Sequence, residues 1–360
     1  MKKQIKYGIL SLVLVFGMTG CTTYMKGDDG KAVVNQTTGQ SLPENILCRP
    51  TDPETIMLYE ANGYDLNELP SCVCKDENTD KLTKEEEEKI SEEANEETSE
   101  TTDENQNEQE ETKTTSDKCE EFTITSGKYE GLWTSFFVKP LAWVILFFGK
   151  YTGSFGLGLI ITSIIIRLIV YPLTKKSTMQ TENMKKIQPE MDRLEKKYAN
   201  KDQNDREVMM MKSQEMMAIY KKHNVNPVSG CLPALLQLPL FIAFLDAINR
   251  VPAIFEEKFL LFHLGTTPMV GIKGGVWWYL ILTVLVAITT YYSMNKASAN
   301  TASTSANGVD MAKQTKTMMN GFTIMIIVMS VFMSSALNIY WVVSNVCTLV
   351  QNYLVKRSMK

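Results

Sequence analysis

Arg167 lies inside Phe155 to Leu173, nineteen residues that carry no other charge and are apolar enough to span a bilayer. A transmembrane helix needs about 20 such residues, and an arginine near its centre costs ~2.5–3.5 kcal/mol on insertion scales. The side chain is therefore expected to face a protein interior or a watery cavity. In a span running from outside to inside, Arg167 sits roughly 9 Å from the cytoplasmic end and about 18 Å from the outer end. Helical side chains lean toward the N-terminus, here outward, which argues against snorkelling to the nearer interface. Ser163, four residues earlier, shares its face.

Charge divides the chain into two unlike parts. The net charge of -4 averages a segment, Lys75 to Glu121, with 20 acidic residues against 6 lysines, and a remainder that is basic by 10. The N-terminus has Lys2, Lys3 and Lys6, an apolar run from Ile9 to Met18, then Thr19, Gly20 and Cys21. That order predicts a lipoprotein-type signal peptide over residues 1–20, with Cys21 as the lipidated residue. Cys48, Cys72, Cys74 and Cys119 would then lie outside the cell, where two disulfides in any of three connectivities are open to them. A metal site is disfavoured, because the CVC spacing is short and no histidine lies nearby.

Residues 21–75 read as an extracytoplasmic Cys-containing segment and 76–131 as an acidic disordered tether, too poor in apolar side chains to offset the entropy of ordering. Residues 132–153 are aromatic-rich and interrupted by Lys139 and Pro140, which suits an amphipathic helix on the outer membrane surface. From 154 to 360 the pattern predicts spans at about 155–173, 232–248, 276–292, 318–334 and 337–355. A basic helical hairpin is expected over 175–225, where Met184, Ile187, Met191, Leu194 and Tyr198 recur at spacings of three and four. Pro189 is expected to break or kink the first arm. With an exported N-terminus, the Lys and Arg excess falls in the cytoplasmic loops, as the positive-inside rule requires. The fold class predicted is an all-α polytopic membrane protein.

No Gly-rich phosphate loop, metal-spaced His pair or nucleophile with a base is visible, so neither catalysis nor a cofactor is expected. Gln237, Asn338, Ser344, Asn345 and Gln351 place further polar groups in apolar segments. One reading of Arg167 is an anion or solute pathway. Against it, Phe155 to Ile161, the outer part of the span, offers nothing polar to line a pore.

The stretches IIIRLIVYPL, KKSTMQTENMKKIQPEM, HNVNPVSGCLPALLQLPLFIAF and NIYWVVSN, in this order and placement, resemble the YidC family of membrane protein insertases in its Gram-positive form. The likeness runs from about Leu132 to Lys360. It implies five transmembrane helices around a hydrophilic groove open to the cytoplasm, with Arg167 in the groove, and a cytoplasmic hairpin. It implies a multi-pass protein of the bacterial cell membrane that inserts nascent membrane proteins, alone or with the Sec translocon and the ribosome. The family's late aromatic position maps onto Trp341; Ser163, Gln237 and Asn345 complete the expected groove. The family's prolines in the fourth span and at the turn before the YW pair are absent here, where the chain reads GFTIMIIVMS and MSSALNIYW.

Overall fold

The computed structural model describes residues 22–27, 29–74, 119–201, 205–226, 232–298 and 311–358, and these are mostly helical. Helix α1, Pro53–Ala61, is started by Asp52, whose carboxylate accepts from Thr55 N, with proline in the first turn. A π-helical turn, Thr134–Val138, runs straight into α2, Lys139–Thr152. Lys139 and Pro140 do not interrupt it: Pro140 sits at the junction of the π-helical turn and α2, and the packing of Val138, Leu141, Ala142 and Ile145 in the core offsets the one N–H it lacks. The helix ends at Gly153 in the left-handed conformation (φ 70°).

Helix α3 spans Phe155–Ala199, 45 residues. Its N-terminus is held by Glu257, which accepts from Ser154 Oγ (2.7 Å) and Gly156 N (3.0 Å), a carboxylate where the helix dipole favours one. Pro172 and Pro189 both lie inside it. The apolar segment and the first hairpin arm, expected as separate elements, are therefore one helix. Each proline removes a single N–H, and tertiary packing offsets that loss. Met184, Ile187 and Met191 on α3 are buried against Tyr220 and Val225, at and just beyond the end of α4, Arg206–Lys222. Lys197 pairs with Glu215 (2.7 Å), and Lys222 and His223 both reach Glu190 (3.1 Å), which closes the hairpin along its length.

Helix α5, Leu232–Arg250, leads through the short α6, Pro252–Glu256, to a small antiparallel pair, β1 Lys258–Phe259 and β2 Phe262–His263. Then come α7, Pro268–Lys273, α8, Tyr279–Ser298, α9, Met311–Phe332, and α10, Ser335–Ser358. Helices α3, α5, α8, α9 and α10 cover the five apolar segments of the sequence. By length and composition, Phe155–Met184 can cross a membrane, while Tyr279–Met294 and Asn320–Phe332 are shorter apolar stretches.

The bundle is inverted relative to a water-soluble core. Ile164, Leu168 and Ile169 on α3, Ile281, Val284 and Ile288 on α8, and Ile324, Val328 and Phe332 on α9 are exposed. Thr162, Ser163, Thr290, Ser330, Asn338 and Ser344 are buried. Contiguous apolar surface on this scale needs a partner more apolar than water. Helices α2 and α3 meet through glycines: a Cβ on Gly158 would lie 2.5 Å from the Ile145 carbonyl oxygen, so the backbones touch where only hydrogen fits.

At one end of the bundle sits an N-terminal module, residues 22–74 with 119–131. Its cysteines are paired Cys48–Cys72 and Cys74–Cys119. The second pair brings together the two ends of the acidic segment, and Ser71 pairs with Glu121 beside it. Residues 119–131 therefore belong to the module rather than to a tether reaching residue 131, and Phe122 is buried among module and bundle side chains. Residues 75–118, Cys21, the signal segment 1–20 and Cys231 lie outside the described residues.

Candidate substrate groove

Helix α10 is the axis of the site, because it packs on α3, α5 and α8 at once. Its start is fixed by a turn in which Ser335 N and Oγ both donate to the Thr266 carbonyl (2.9 and 2.7 Å). Asn338 Nδ2 reaches back to the carbonyls of Ser330 (2.9 Å) and Met333 (3.3 Å). A buried amide thus closes the α9–α10 turn in which the sequence lacks proline.

From α3, Arg167 extends to α10. Its Nε donates to Ser344 Oγ at 3.0 Å, and one terminal nitrogen reaches the same oxygen. The Arg167 carbonyl accepts from Gln351 Nε2 (2.9 Å), so Ser344 and Gln351, two turns apart on α10, hold the arginine by side chain and by backbone. Tyr340 lies one turn before Ser344 on the same face of α10, and Gln237 Nε2 on α5 donates to Tyr340 Oη at 3.0 Å. Arg167, Ser344, Tyr340 and Gln237 thus form a polar row across three helices. Tyr340 stacks on Phe244 (centroids 4.1 Å apart), and Trp341 meets Phe241 edge-on at 4.8 Å. The side-chain partner of its guanidinium is Ser344, and no carboxylate pairs with it among the described residues. A guanidinium with five donors and one hydroxyl partner keeps most of its hydrogen-bonding capacity for something else.

The other expected residues divide. Gln237 joins the row, and Trp341 borders it on the next position of α10. Ser163 does not join: it is buried, and its hydroxyl donates to Leu159 O of its own helix (2.6 Å). Asn345 turns to α8, where Nδ2 donates to Thr290 Oγ1 at 2.9 Å, and so ties two helices together rather than meeting Arg167. Residue by residue, 100° of helix rotation separates Asn345 from Ser344. The sequence alone does not mark Tyr340 and gives Ser344 no partner. The usable signal was their spacing of four, which puts both hydroxyls on one face of α10.

The profile of the family described as 60Kd inner membrane protein matches residues 147–360. Among curated relatives, membrane protein insertase YidC 2 of Bacillus anthracis is 38% identical over 230 residues, covering 64% of this chain and 83% of the relative. Membrane protein insertase YidC 1 of Halalkalibacterium halodurans is 35% identical, covering 63% and 79%. Membrane protein insertase MisCA of Bacillus subtilis is 36% identical, covering 62% and 79%.

Proposed function

This chain belongs to the 60Kd inner membrane protein family, that of the YidC membrane protein insertases, and on that premise we propose that it inserts membrane proteins by way of the polar row around Arg167. The observation that carries the reading is the inversion of the bundle: an apolar exterior, and inside it a guanidinium without a carboxylate partner among the described residues. A hydrophobic client segment slides along the lipid-facing surface while its polar flank enters the groove. There Arg167, Ser344, Tyr340 and Gln237 replace part of its hydration, which lowers the dehydration barrier without nucleotide hydrolysis. Acidic flanks gain most, because charge attraction is strong where water is scarce.

In this reading α3, α5, α8, α9 and α10 are five spans, the hairpin stands in the cytoplasm, and the N-terminal module lies outside, anchored through a lipid on Cys21 in the cell membrane. Helix α2 lies along the outer interface, with Trp143, Phe147 and Tyr151 exposed on one side and Ile145, Leu146 and Gly149 buried against the bundle. The basic hairpin is where ribosome and Sec translocon would engage. A solute pathway is the weaker reading. Beyond the polar row toward the N-terminal module, Ala247, Ile248, Leu337 and Ile339 pack in one apolar cluster, and the buried polar groups at that level, Asp246, Arg250 and Asn338, bond to partners within the protein.

The test is purified protein in liposomes offered a small single-span client with an acidic exported tail. Protease-protected client with no solute flux supports insertion. Flux of small anions without client insertion would overturn it in favour of a channel.

A further inference from the structure

The N-terminal module has few means of holding itself together. Among the described residues, its regular elements are a nine-residue helix and a three-residue 3-10 turn, and the rest is isolated β-bridges. Its small separate cluster of buried side chains, Met25, Leu42, Ile46, Tyr59 and Leu66, takes in Phe255 of α6, and its other buried apolar groups, Leu47, Cys48, Cys72 and Phe122, belong to the cluster of the bundle. Modules this small rely on disulfides or on docking, and this one has both.

The docking site is the end of α5. Asp246 Oδ2 accepts from Trp133 Nε1 (3.0 Å), and its Oδ1 from the backbone N and hydroxyl of Thr22 (3.1 and 2.9 Å). One turn on, Arg250 is fully buried: Nε donates to the Asn45 carbonyl (2.6 Å), the guanidinium pairs with Glu130, and the Arg250 carbonyl accepts from Leu47 N (2.8 Å). On α6, Glu256 accepts from Thr51 N and Oγ1 (3.0 and 2.7 Å). Module and bundle also touch without side-chain clearance, since a Cβ on Gly265 would lie 2.2 Å from Gln40 Oε1 and one on Gly39 2.5 Å from Val270.

The disulfides stand in this interface rather than apart from it. Cys48 and Cys72 are buried in the same apolar cluster as Trp133, Leu141, Ile248 and Ile254. Cys74–Cys119 returns the chain so that Phe122 N donates to the Ser71 carbonyl and Phe122 enters that cluster.

We infer that the module is a cap sealed onto the extracytoplasmic end of the bundle, and that its seating depends on disulfide formation there, which makes the insertase responsive to the thiol–disulfide state outside the cell. Each bond forms when two cysteine thiols pass two electrons and two protons to an external disulfide, which is reduced to two thiols. The role assigned to the cap's position rests on the insertase reading above; the sealing itself does not.

The experiment uses the full chain in proteoliposomes, treated from outside with dithiothreitol, with opening of both disulfides checked by mass. Hydrogen–deuterium exchange is followed in peptides over 42–72 and 243–256, with client insertion measured in parallel. Reduction is expected to speed exchange at least tenfold in both regions and to lower insertion several-fold. A Cys48→Ala/Cys72→Ala pair should loosen 243–256 more than a Cys74→Ala/Cys119→Ala pair. Arg250→Met, with disulfides intact, should loosen 243–256 as reduction does. Unchanged exchange in 243–256 after complete reduction overturns the cap. Faster exchange with unchanged insertion overturns the coupling to activity and leaves the insertase assignment standing.

Discussion

Arg167 on α3 donates through Nε to Ser344 Oγ on α10 at 3.0 Å, so a helix-to-helix hydrogen bond fixes the direction of the one charge expected within the apolar part of α3. The hydroxyl does not neutralise the guanidinium. It orients it, and leaves charge and donors for a client.

Arg167→Ala should lower insertion of an acidic-tailed client about tenfold or more, equivalent to ~1.4 kcal/mol or above, while the protein stays folded. Arg167→Lys should be milder. Ser344→Ala should keep the charge but lose its direction, with an intermediate loss. In vitro insertion rates for clients with acidic and uncharged tails check this: equal losses for both tails would remove charge from the explanation.

Gly158→Ala should destabilise by about 1–3 kcal/mol, as overpacking does, because its Cβ would meet the Ile145 carbonyl at 2.5 Å. The check is thermal unfolding in detergent. Unaltered stability would mean that α2 and α3 separate readily.

Asn338→Ala should cost about 1–3 kcal/mol, since the carbonyls of Ser330 and Met333 lose a buried donor. Restoring proline in this turn should recover part of that loss. Unfolding of the single and double variants decides it.

Replacing Asp76 to Lys118 with a short Gly-Ser linker should leave insertion unchanged and stability equal or slightly raised. The ends of the segment are already joined at Cys74–Cys119, so a shorter loop costs less to close. Complementation by a stably expressed variant tests this, and its failure would give the acidic segment a role of its own.

The hairpin should open on acidification. Hydrogen bonds from Lys222 and His223 lower the Glu190 pKa, and those from Lys197 and Tyr198 lower that of Glu215. A lowered folded-state pKa gives stability that is present above the ordinary glutamate value and is lost as pH falls through the lowered one. Both groups are exposed, so the effect should also shrink with salt. Hydrogen exchange over 184–222 against pH, compared with a Glu190→Gln/Glu215→Gln variant, should show the loss in the parent alone.

Apolar runs and charge placement made the helical segments legible, because length and periodicity depend on nearby residues. Gln237 and Arg167 were legible for the same reason: each is polar where its neighbours are not. Asn345 gave the same signal yet serves to bind α8, since which face of α10 meets which helix is decided by packing. The joining of span and hairpin was hidden by Pro172 and Pro189, whose local preference is outweighed by the row from Met184 to Tyr198. The pairing of Cys48, Cys72, Cys74 and Cys119 could not be chosen from spacing; it follows from Ser71 lying beside Arg49 on one side and Glu121 on the other.

Since α3 carries both Arg167 and the first arm of the hairpin without a break, the two ends move as parts of one lever. At 1.5 Å per residue the rod is about 67 Å long, and Arg167 lies nearer the end gripped by Glu257. A partner that pulls the hairpin sideways therefore turns the guanidinium through the same angle while shifting it by a smaller distance. Pro172, five residues beyond the arginine and short of one backbone donor, is the point where that motion is most easily absorbed. Stiffness at Pro172 sets how much of a pull on the hairpin is felt at Arg167.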